Sequence, residues 1–254
     1  MGTANSTTGE RLRLDDLLVR RGFFDSRSRA RDAILRGTVT VDGTRADKPG
    51  RAVADGASIA VADPSRRYVS RAALKLVHGL DHFGLDPAGR LALDVGASTG
   101  GFTQVLLERG VRQVIAVDVG HGQMRPELAA DPRVTNIEGL NARDMALDDL
   151  GGEAPGIVVS DVSFISLRLA LPPALAFAAK DAFGIFLVKP QFEAGREQVG
   201  KGGIVDPALG GEIADEMAAW LGEQPGWRVL GVTASPIEGG DGNREFLLGG
   251  VKDR

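Results

Sequence analysis

The chain has 254 residues, 43% of them hydrophobic, and a formal net charge of −4. This is long enough for one large domain plus a small one, and the composition supports a packed core. With no cysteine, disulfides, thiolate zinc sites and cysteine nucleophiles are excluded. The first ten residues are polar and hold no apolar stretch, so no secretory signal is expected. The apolar run 169–179 is short and interrupted by Pro172 and Pro173, which makes a membrane span unexpected and a cytoplasmic location the default.

Charge is unevenly spread. From Arg11 to Arg71, 14 basic residues face 8 acidic ones, a local excess of +6 in a chain that is acidic overall. A basic head on an acidic body suggests that the head meets a polyanion.

Residues 1–10, rich in Ser, Thr, Gly and Asn, are expected to form a disordered tail. Residues 11–22 carry Leu12, Leu14, Leu17 and Leu18 at helical spacing, with Gly22 as a stop. Ser26 is suited to cap a second helix, running to about Arg36 and ending at Gly37. Ala30, Ala33 and Ile34 would form its inner face, and Arg27, Arg29, Arg31 and Arg36 its outer one. Residues 38–41 read as a strand turning at Asp42-Gly43, a hairpin signal, and residues 58–61 as another strand. The order Arg13-Leu14-Asp15, Leu17-Leu18, Arg20-Arg21-Gly22, Ser26-Arg27-Ser28-Arg29-Ala30, Ile34, Gly37, Val39, Val41-Asp42-Gly43 and Lys48-Pro49 resembles the S4-type RNA-binding domain, a small α+β fold. That resemblance implies RNA contacts by Arg13, Arg20, Arg27, Arg29 and Arg31. Grouped cations of this kind are how proteins bind phosphate backbones. The head is assigned to residues 11–62, a linker to 63–69, and a second domain to 70–254.

Ser70 is suited to cap a helix that carries Lys75. Residues 91–95 read as an apolar strand, followed by Gly96-Ala97-Ser98-Thr99-Gly100-Gly101 and a helix from about Phe102. Strand, glycine loop and helix form the first turn of a Rossmann-like, doubly wound α/β fold. The spacing is not Gly-x-Gly-x-x-Gly, so a dinucleotide is not the expected ligand. An adenosyl ligand without a pyrophosphate needs one acid for its amino group and another for its ribose. Asp94 precedes the loop, and Asp118 ends the next strand (114–117). The third strand (134–137) is followed by Asn141, and in the methyltransferase class that this segment resembles that position lies at the adenine edge or its surroundings. Together these features resemble the S-adenosylmethionine pocket of Rossmann-like methyltransferases, and they make Asp94, Gly96, Ser98, Thr99, Gly100, Gly101, Phe102, Asp118, Asn141 and Asp161 the expected donor-binding residues.

Strands four (156–160) and five (185–188) end at Asp161 and Lys189, and the last two are expected at 229–234 and 245–251. Ligands of open parallel sheets bind beyond the carboxyl ends of the strands. If the final strand is antiparallel, Glu245 lies at that same rim. Two lysines and two carboxylates there suggest proton abstraction by an amine. An amine is a base only when neutral, and a nearby second cation and partial burial favour that form. Lys189 is then the expected base and Lys75 the second cation, with Asp161 and Glu245 orienting the lysines and the hydroxyl while their negative charge works against the neutral amine, a balance the sequence leaves open.

The segments Tyr68-Val69-Ser70-Arg71-Ala72-Ala73-Leu74-Lys75-Leu76, Asp94 to Phe102, and Val117-Asp118-Val119-Gly120-His121-Gly122-Gln123 extend the likeness. So do Ser160 to Ser166, Val188-Lys189-Pro190-Gln191-Phe192-Glu193, Ser235-Pro236 and Gly242-Asn243-Arg244-Glu245-Phe246. With the head included, the chain resembles the TlyA-type ribosomal RNA (cytidine-2′-O)-methyltransferases, an FtsJ-like group that also carries the haemolysin A label. The resemblance implies a seven-stranded, mostly parallel sheet and S-adenosylmethionine as cofactor. It implies ribosomal RNA or subunits as partner, 16S and in some members 23S, and no metal. It also implies a catalytic set of Lys75, Asp161, Lys189 and Glu245, and a link between residues 67–69 and donor binding. Oligomeric state is left open.

Three rivals are weaker. Pyrimidine carbon-5 methylation usually needs a cysteine, and amino-group methylation typically uses an Asn/Asp-Pro-Pro-aromatic segment where this chain has Asp161-Val162-Ser163-Phe164. A pore-forming protein would need an apolar membrane segment. An assembly factor that binds RNA without catalysis would not need the rim residues. His78, His82 and His121 lack metal-ligand spacing with carboxylates.

Overall fold

In the computed structural model, which describes residues 11–253, the chain divides into two units, one ending at Arg67 and one beginning at Tyr68. The expected N-terminal tail lies outside the described residues.

The first unit runs β1 (Arg11–Arg13), α1 (Leu14–Arg20), α2 (Arg27–Leu35), β2 (Val39–Val41), β3 (Thr44–Arg45), β4 (Ala52–Ala54) and β5 (Ile59–Val61). Leu14, Leu17 and Leu18 of α1 and Ala30, Ala33 and Ile34 of α2 are fully buried against each other and against Val39 and Val41. Ser26 Oγ caps α2 by accepting from the Arg29 amide at 3.3 Å, and Gly37 (φ +73°) ends it. Asp42 (φ +49°) and Gly43 (φ +76°) both adopt left-handed backbone, as the two-residue turn between β2 and β3 requires.

Two expectations for this unit are corrected. The helix does not begin at Arg11. Residues 11–13 pair antiparallel with β4, Leu12 opposite Val53, so a partner 40 residues away overrides the local helical spacing. The second correction concerns Arg36, expected on the outer face of α2. Pro64–Arg67 form a 3₁₀ turn, and Arg36 grips buried Asp63 with two hydrogen bonds of 2.9 and 2.8 Å. Arg36 is therefore turned away from the expected basic face. Burial pushes the Asp63 carboxyl upward, but the hydrogen bonds from Arg36 and Ser65 hold it below the usual carboxylate range.

The second unit contains α3 (Ala73–Phe83), β6 (Leu91–Val95), α4 (Gly101–Glu108), β7 (Gln113–Asp118), α5 (Pro126–Ala129), β8 (Val134–Glu138) and β9 (Ile157–Ser160). It continues with α6 (Leu167–Ala170), α7 (Pro172–Phe177), β10 (Phe183–Val188), α8 (Pro190–Glu193), α9 (Pro207–Gly222), β11 (Trp227–Ala234) and β12 (Phe246–Lys252). Ser70 does not cap α3 directly; its Oγ accepts from the Ala72 amide in the turn before it.

The strands form one seven-stranded sheet in the order β11-β12-β10-β9-β6-β7-β8. Five strands are parallel, and β12 runs antiparallel between β10 and β11. Strands β6 and β10 are buried at every residue, the signature of a sheet covered on both faces. Alternate side chains feed two apolar layers. Leu91, Leu93 and Val95 join the layer that includes Leu171, Met217 and Leu221. Ala92 faces the other layer, with Leu76, Leu80, Phe102 and Leu106 of α3 and α4. Among the described residues no helix is long and apolar enough to cross a membrane.

Candidate active site

The chain enters the parallel sheet at β6, builds outward through β7 and β8, then returns to β9 on the other side of β6. The carboxyl ends of β6 and β9 therefore flank a switch point, where open α/β sheets form crevices. Register fixes what meets there. Val95 lies opposite Ser160, so the glycine loop and Asp161 leave the sheet side by side, and the Asp161 amide donates to Val95 O at 3.2 Å.

A cleft lies above this edge. Gly96, Ser98, Thr99, Gly101, Phe102, Asp161 and Lys189 line it, together with Ser70, Ala72, Ala97 and Ser163. Gly96 turns with φ +84°, and a Cβ there would stand 2.9 Å from Val162. Gly100, also left-handed, sits behind the cleft, where a Cβ would stand 2.5 Å from Leu128.

The remaining expected donor-binding residues lie around the cleft without lining it. Asp118 Oδ2 accepts from the Ser98 amide at 2.8 Å and Oδ1 from the Gly120 amide at 2.7 Å. The carboxylate thus holds two loops in place, and each oxygen retains a further lone pair. Strand alternation turns Asp94 toward α4, where it is fully buried and accepts from Thr103 Oγ1 at 2.7 Å. Its other oxygen has no protein partner. Burial pushes the Asp94 carboxyl up to about 7; the Thr103 hydroxyl opposes this, and the charges of Asp161 and Asp118 add to the rise. Asn141 caps a 3₁₀ turn by accepting from the Arg143 amide at 3.1 Å.

The four rim residues form two ion pairs. Lys189 is 9% exposed, and its Nζ lies 2.6 Å from Asp161 Oδ1, a close ionic contact without hydrogen-bond alignment. The same Nζ donates to Ser163 Oγ at 2.7 Å. Lys75, on α3 and 5% exposed, pairs with Glu245, 4% exposed. Antiparallel pairing of Val188 with Phe246 makes Lys189 and Glu245 neighbours at the rim. Each lysine thus has its own carboxylate, and the Lys75–Glu245 pair does not line the cleft.

Ser163 is not among the residues that the strand-end argument selects, because it lies two positions beyond Asp161 in an irregular loop. The next residue, Phe164, is 91% exposed with φ +65°, and its ring lies 5.2 Å from that of Phe192. A left-handed backbone at an exposed aromatic is unusual. Sequence alone gives no sign of it.

Asp94, Asp118 and Asp161 lie close enough for each of the other two charges to act on Asp94. Of the three only Asp161 lines the cleft, and it is paired there with Lys189. Among the described residues no group of His, Asp and Glu is arranged to hold a metal ion.

In the first unit, Arg13 and Arg27 converge on Asp15 and Asp16 but keep 52% and 58% of their side chains exposed. Burial pushes the Asp15 carboxyl upward, and hydrogen bonds from Arg13 and Arg27 outweigh that and hold it low. Arg29 contacts Asp25 and the Ser65 carbonyl. Arg20 and Arg31 are exposed on the same helix pair.

Comparison with known proteins agrees with this architecture. The sequence profile of FtsJ-like methyltransferases matches residues 68–252, and that of the S4 domain matches residues 12–59. The 16S/23S rRNA (cytidine-2′-O)-methyltransferase TlyA of Mycobacterium tuberculosis is 47% identical over 240 residues, covering 94% of this chain and 89% of the relative. Hemolysin A of Brachyspira hyodysenteriae is 40% identical over 237 residues, covering 93% and 98%. A solved chain from Streptococcus thermophilus that bears a hemolysin name superposes with a TM-score of 0.74 at 40% identity, covering 95% and 88%. The chain is a member of the FtsJ-like methyltransferase family with an S4 domain at its N-terminus.

Proposed function

We propose that the protein methylates the ribose 2′-hydroxyl of a cytidine in ribosomal RNA, with S-adenosylmethionine as donor. The observation that carries this reading is Lys189. It is nearly buried, lines the cleft, and is held by Asp161 and Ser163. The names of the M. tuberculosis relative and of a Campylobacter jejuni relative, a 23S rRNA (cytidine-2′-O)-methyltransferase 34% identical over 192 residues, supply the substrate class. We assign 16S RNA, with 23S as a second substrate, and a cytoplasmic site of action on ribosomal subunits.

When bound, S-adenosylmethionine supplies an electrophilic methyl group on a sulfonium. The glycine loop 96–101, Ser98, Thr99 and Phe102 would hold it, with Asp118 for the ribose, Asn141 near the adenine and Asp161 facing its positive charge, while Asp94, buried against Thr103, supports the start of α4 behind the cleft. As the neutral amine, Lys189 Nζ takes up the proton of the RNA hydroxyl and becomes the ammonium that Asp161 holds in the observed ion pair. Asp161 and Ser163 fix that nitrogen in one place, which is the contribution expected of orientation. The Lys75–Glu245 pair completes the set at the same rim. Glu245 offsets the charge of Lys75, so Lys75 is not the uncompensated second cation expected beside Lys189. The domain assignment is a head at 11–62 that presents Arg13, Arg20, Arg27, Arg29 and Arg31 to RNA, a linker at 63–69, and a transferase domain from 70 onward.

The test is incubation of the protein with labelled S-adenosylmethionine and separated ribosomal subunits that lack the modification. Label in the RNA of a subunit supports the reading. Measurable donor binding with no label in either subunit would replace it with an RNA-binding role.

A further inference from the structure

Residues 161–166, between β9 and α6, carry two of the groups that hold Lys189, yet they form no helix or strand. One of them, Phe164, has a left-handed backbone, a conformation that persists only when its surroundings enforce it. The start of the loop is tied to the sheet by the Asp161 amide on Val95 O. Its end is tied by a single side chain. Glu193 Oε2 accepts from Ser166 Oγ at 2.5 Å, and Glu193 Oε1 accepts from the Leu167 amide at 2.8 Å. Ser166 Oγ in turn accepts from the Arg168 amide at 3.1 Å, capping α6.

Glu193 closes α8, the short helix that starts directly after Lys189. One five-residue segment therefore supplies both the amine and the clamp on the loop that orients it. Phe192, the neighbour of Glu193, adds a ring contact to Phe164. The clamp is half-buried, and burial pushes the Glu193 carboxyl upward while the Leu167 amide and Ser166 hydroxyl oppose the rise. Both oxygens are satisfied by donors from the loop, so removing the carboxyl leaves those donors without a partner.

We propose that Glu193 is a positioning residue for methyl transfer, one that locks the 161–166 loop so that Asp161 and Ser163 hold Lys189 Nζ in a single orientation. This rests on the reading of Lys189 as the base. Glu193 does not line the cleft, and it acts through the residues it fixes.

The experiment compares wild type, Glu193→Ala and Glu193→Gln as full-length proteins. It measures kcat, KM for S-adenosylmethionine, donor affinity by calorimetry, and Tm. Glutamine keeps an acceptor for the Leu167 amide, and its NH₂ group is able to donate to Ser166 Oγ. Glu193→Ala is expected to lower kcat by about 10- to 100-fold, the scale of a misplaced reacting group. Donor KM and affinity should stay within about twofold, since no donor contact is removed. Glu193→Gln is expected to restore kcat to within about threefold of wild type, the scale of one neutral hydrogen bond partly retained. An unchanged kcat in Glu193→Ala would overturn the proposal. So would a loss shared equally by the glutamine variant, or a loss carried by KM and donor affinity. Transfer by the wild type separates these outcomes from failure of the methyltransferase reading, because a wild type that labels no RNA overturns both.

Discussion

The two units hold their cations in opposite ways. In the first, Arg13 and Arg27 lean on Asp15 and Asp16 while more than half of each side chain stays in solvent. In the second, Lys75 and Lys189 are nearly buried, each against its own carboxylate. Exposed pairs of the first kind are worth little and are screened by salt. Both arginines reach the buried Asp15, so one of them can turn to another anion while the other keeps that carboxylate paired. Buried pairs of the second kind are committed. Breaking one strands a charge away from water. The contrast separates a surface built for exchange from a site built for fixed geometry.

The contrast is sharpest where a committed group is removed. Lys189→Ala is expected to lower methyl transfer by about 10²- to 10⁴-fold, the usual contribution of a positioned base. Donor affinity should stay near that of wild type, which single-turnover kinetics and calorimetry measure separately. A deficit confined to donor affinity would move Lys189 out of the proton-transfer role.

The Lys75–Glu245 pair tests commitment through stability. Glu245→Gln removes one partner of a nearly buried pair and is expected to cost about 3–5 kcal/mol in urea unfolding. Replacing both residues by apolar ones should cost less than the sum of the single changes, because no charge is then stranded. If Glu245→Gln unfolds within about 0.5 kcal/mol of wild type, as exposed substitutions do, the pair is solvated and the contrast between the units weakens.

Asp94 gives a smaller, pH-dependent effect. Its folded pKa of about 7 lies above its unfolded value, so the folded state binds the extra proton. Its contribution to stability is therefore fully present at low pH and falls as pH rises from about 4 through 7, by at most about 1.4 kcal/mol per unit. Asp94→Asn carries no such titration. The stability of the variant relative to wild type should rise between pH 5 and pH 8, as followed by urea unfolding across that range. A difference independent of pH would show that Asp94 titrates as an ordinary carboxyl.

The smallest effects belong to the head. Arg20→Ala and Arg31→Ala should each leave Tm almost unchanged, as exposed substitutions do. Each should weaken RNA binding modestly and reduce the slope of log affinity against log salt by about 1. Filter binding at several salt concentrations reads both. An unchanged slope would remove that arginine from the RNA face.

The sequence displays the sheet well because its central strands are continuous apolar runs broken by strand-end polar residues. Asp118, Asp161 and Lys189 mark three of those ends, and an antiparallel last strand was enough to bring Glu245 to the same rim. Long-range pairing was harder to read. Residues 11–13 follow a helical spacing but are drawn into a strand by residues 52–54, a stretch with little strand character of its own. Arg36 looks like an outer-face cation until Asp63, 27 positions away, turns it inward. At the site, Asp94 is legible as a strand-end acid, whereas its burial follows from alternation along β6 and from the position of Thr103. Ser163 and Glu193 were not legible as site residues, because Ser163 sits in the irregular loop 161–166 and Glu193 at the end of the short helix α8, and neither marks a strand end.

The most direct test of the central claim is mapping of the modified nucleotide after reaction of unmodified ribosomal subunits with wild-type protein and with Lys189→Ala. The account predicts 2′-O-methylcytidine at a defined position, visible as resistance of the adjacent linkage to alkaline cleavage, for wild type and not for the variant. A methyl group found on a base, or equal ribose methylation by Lys189→Ala, would contradict it.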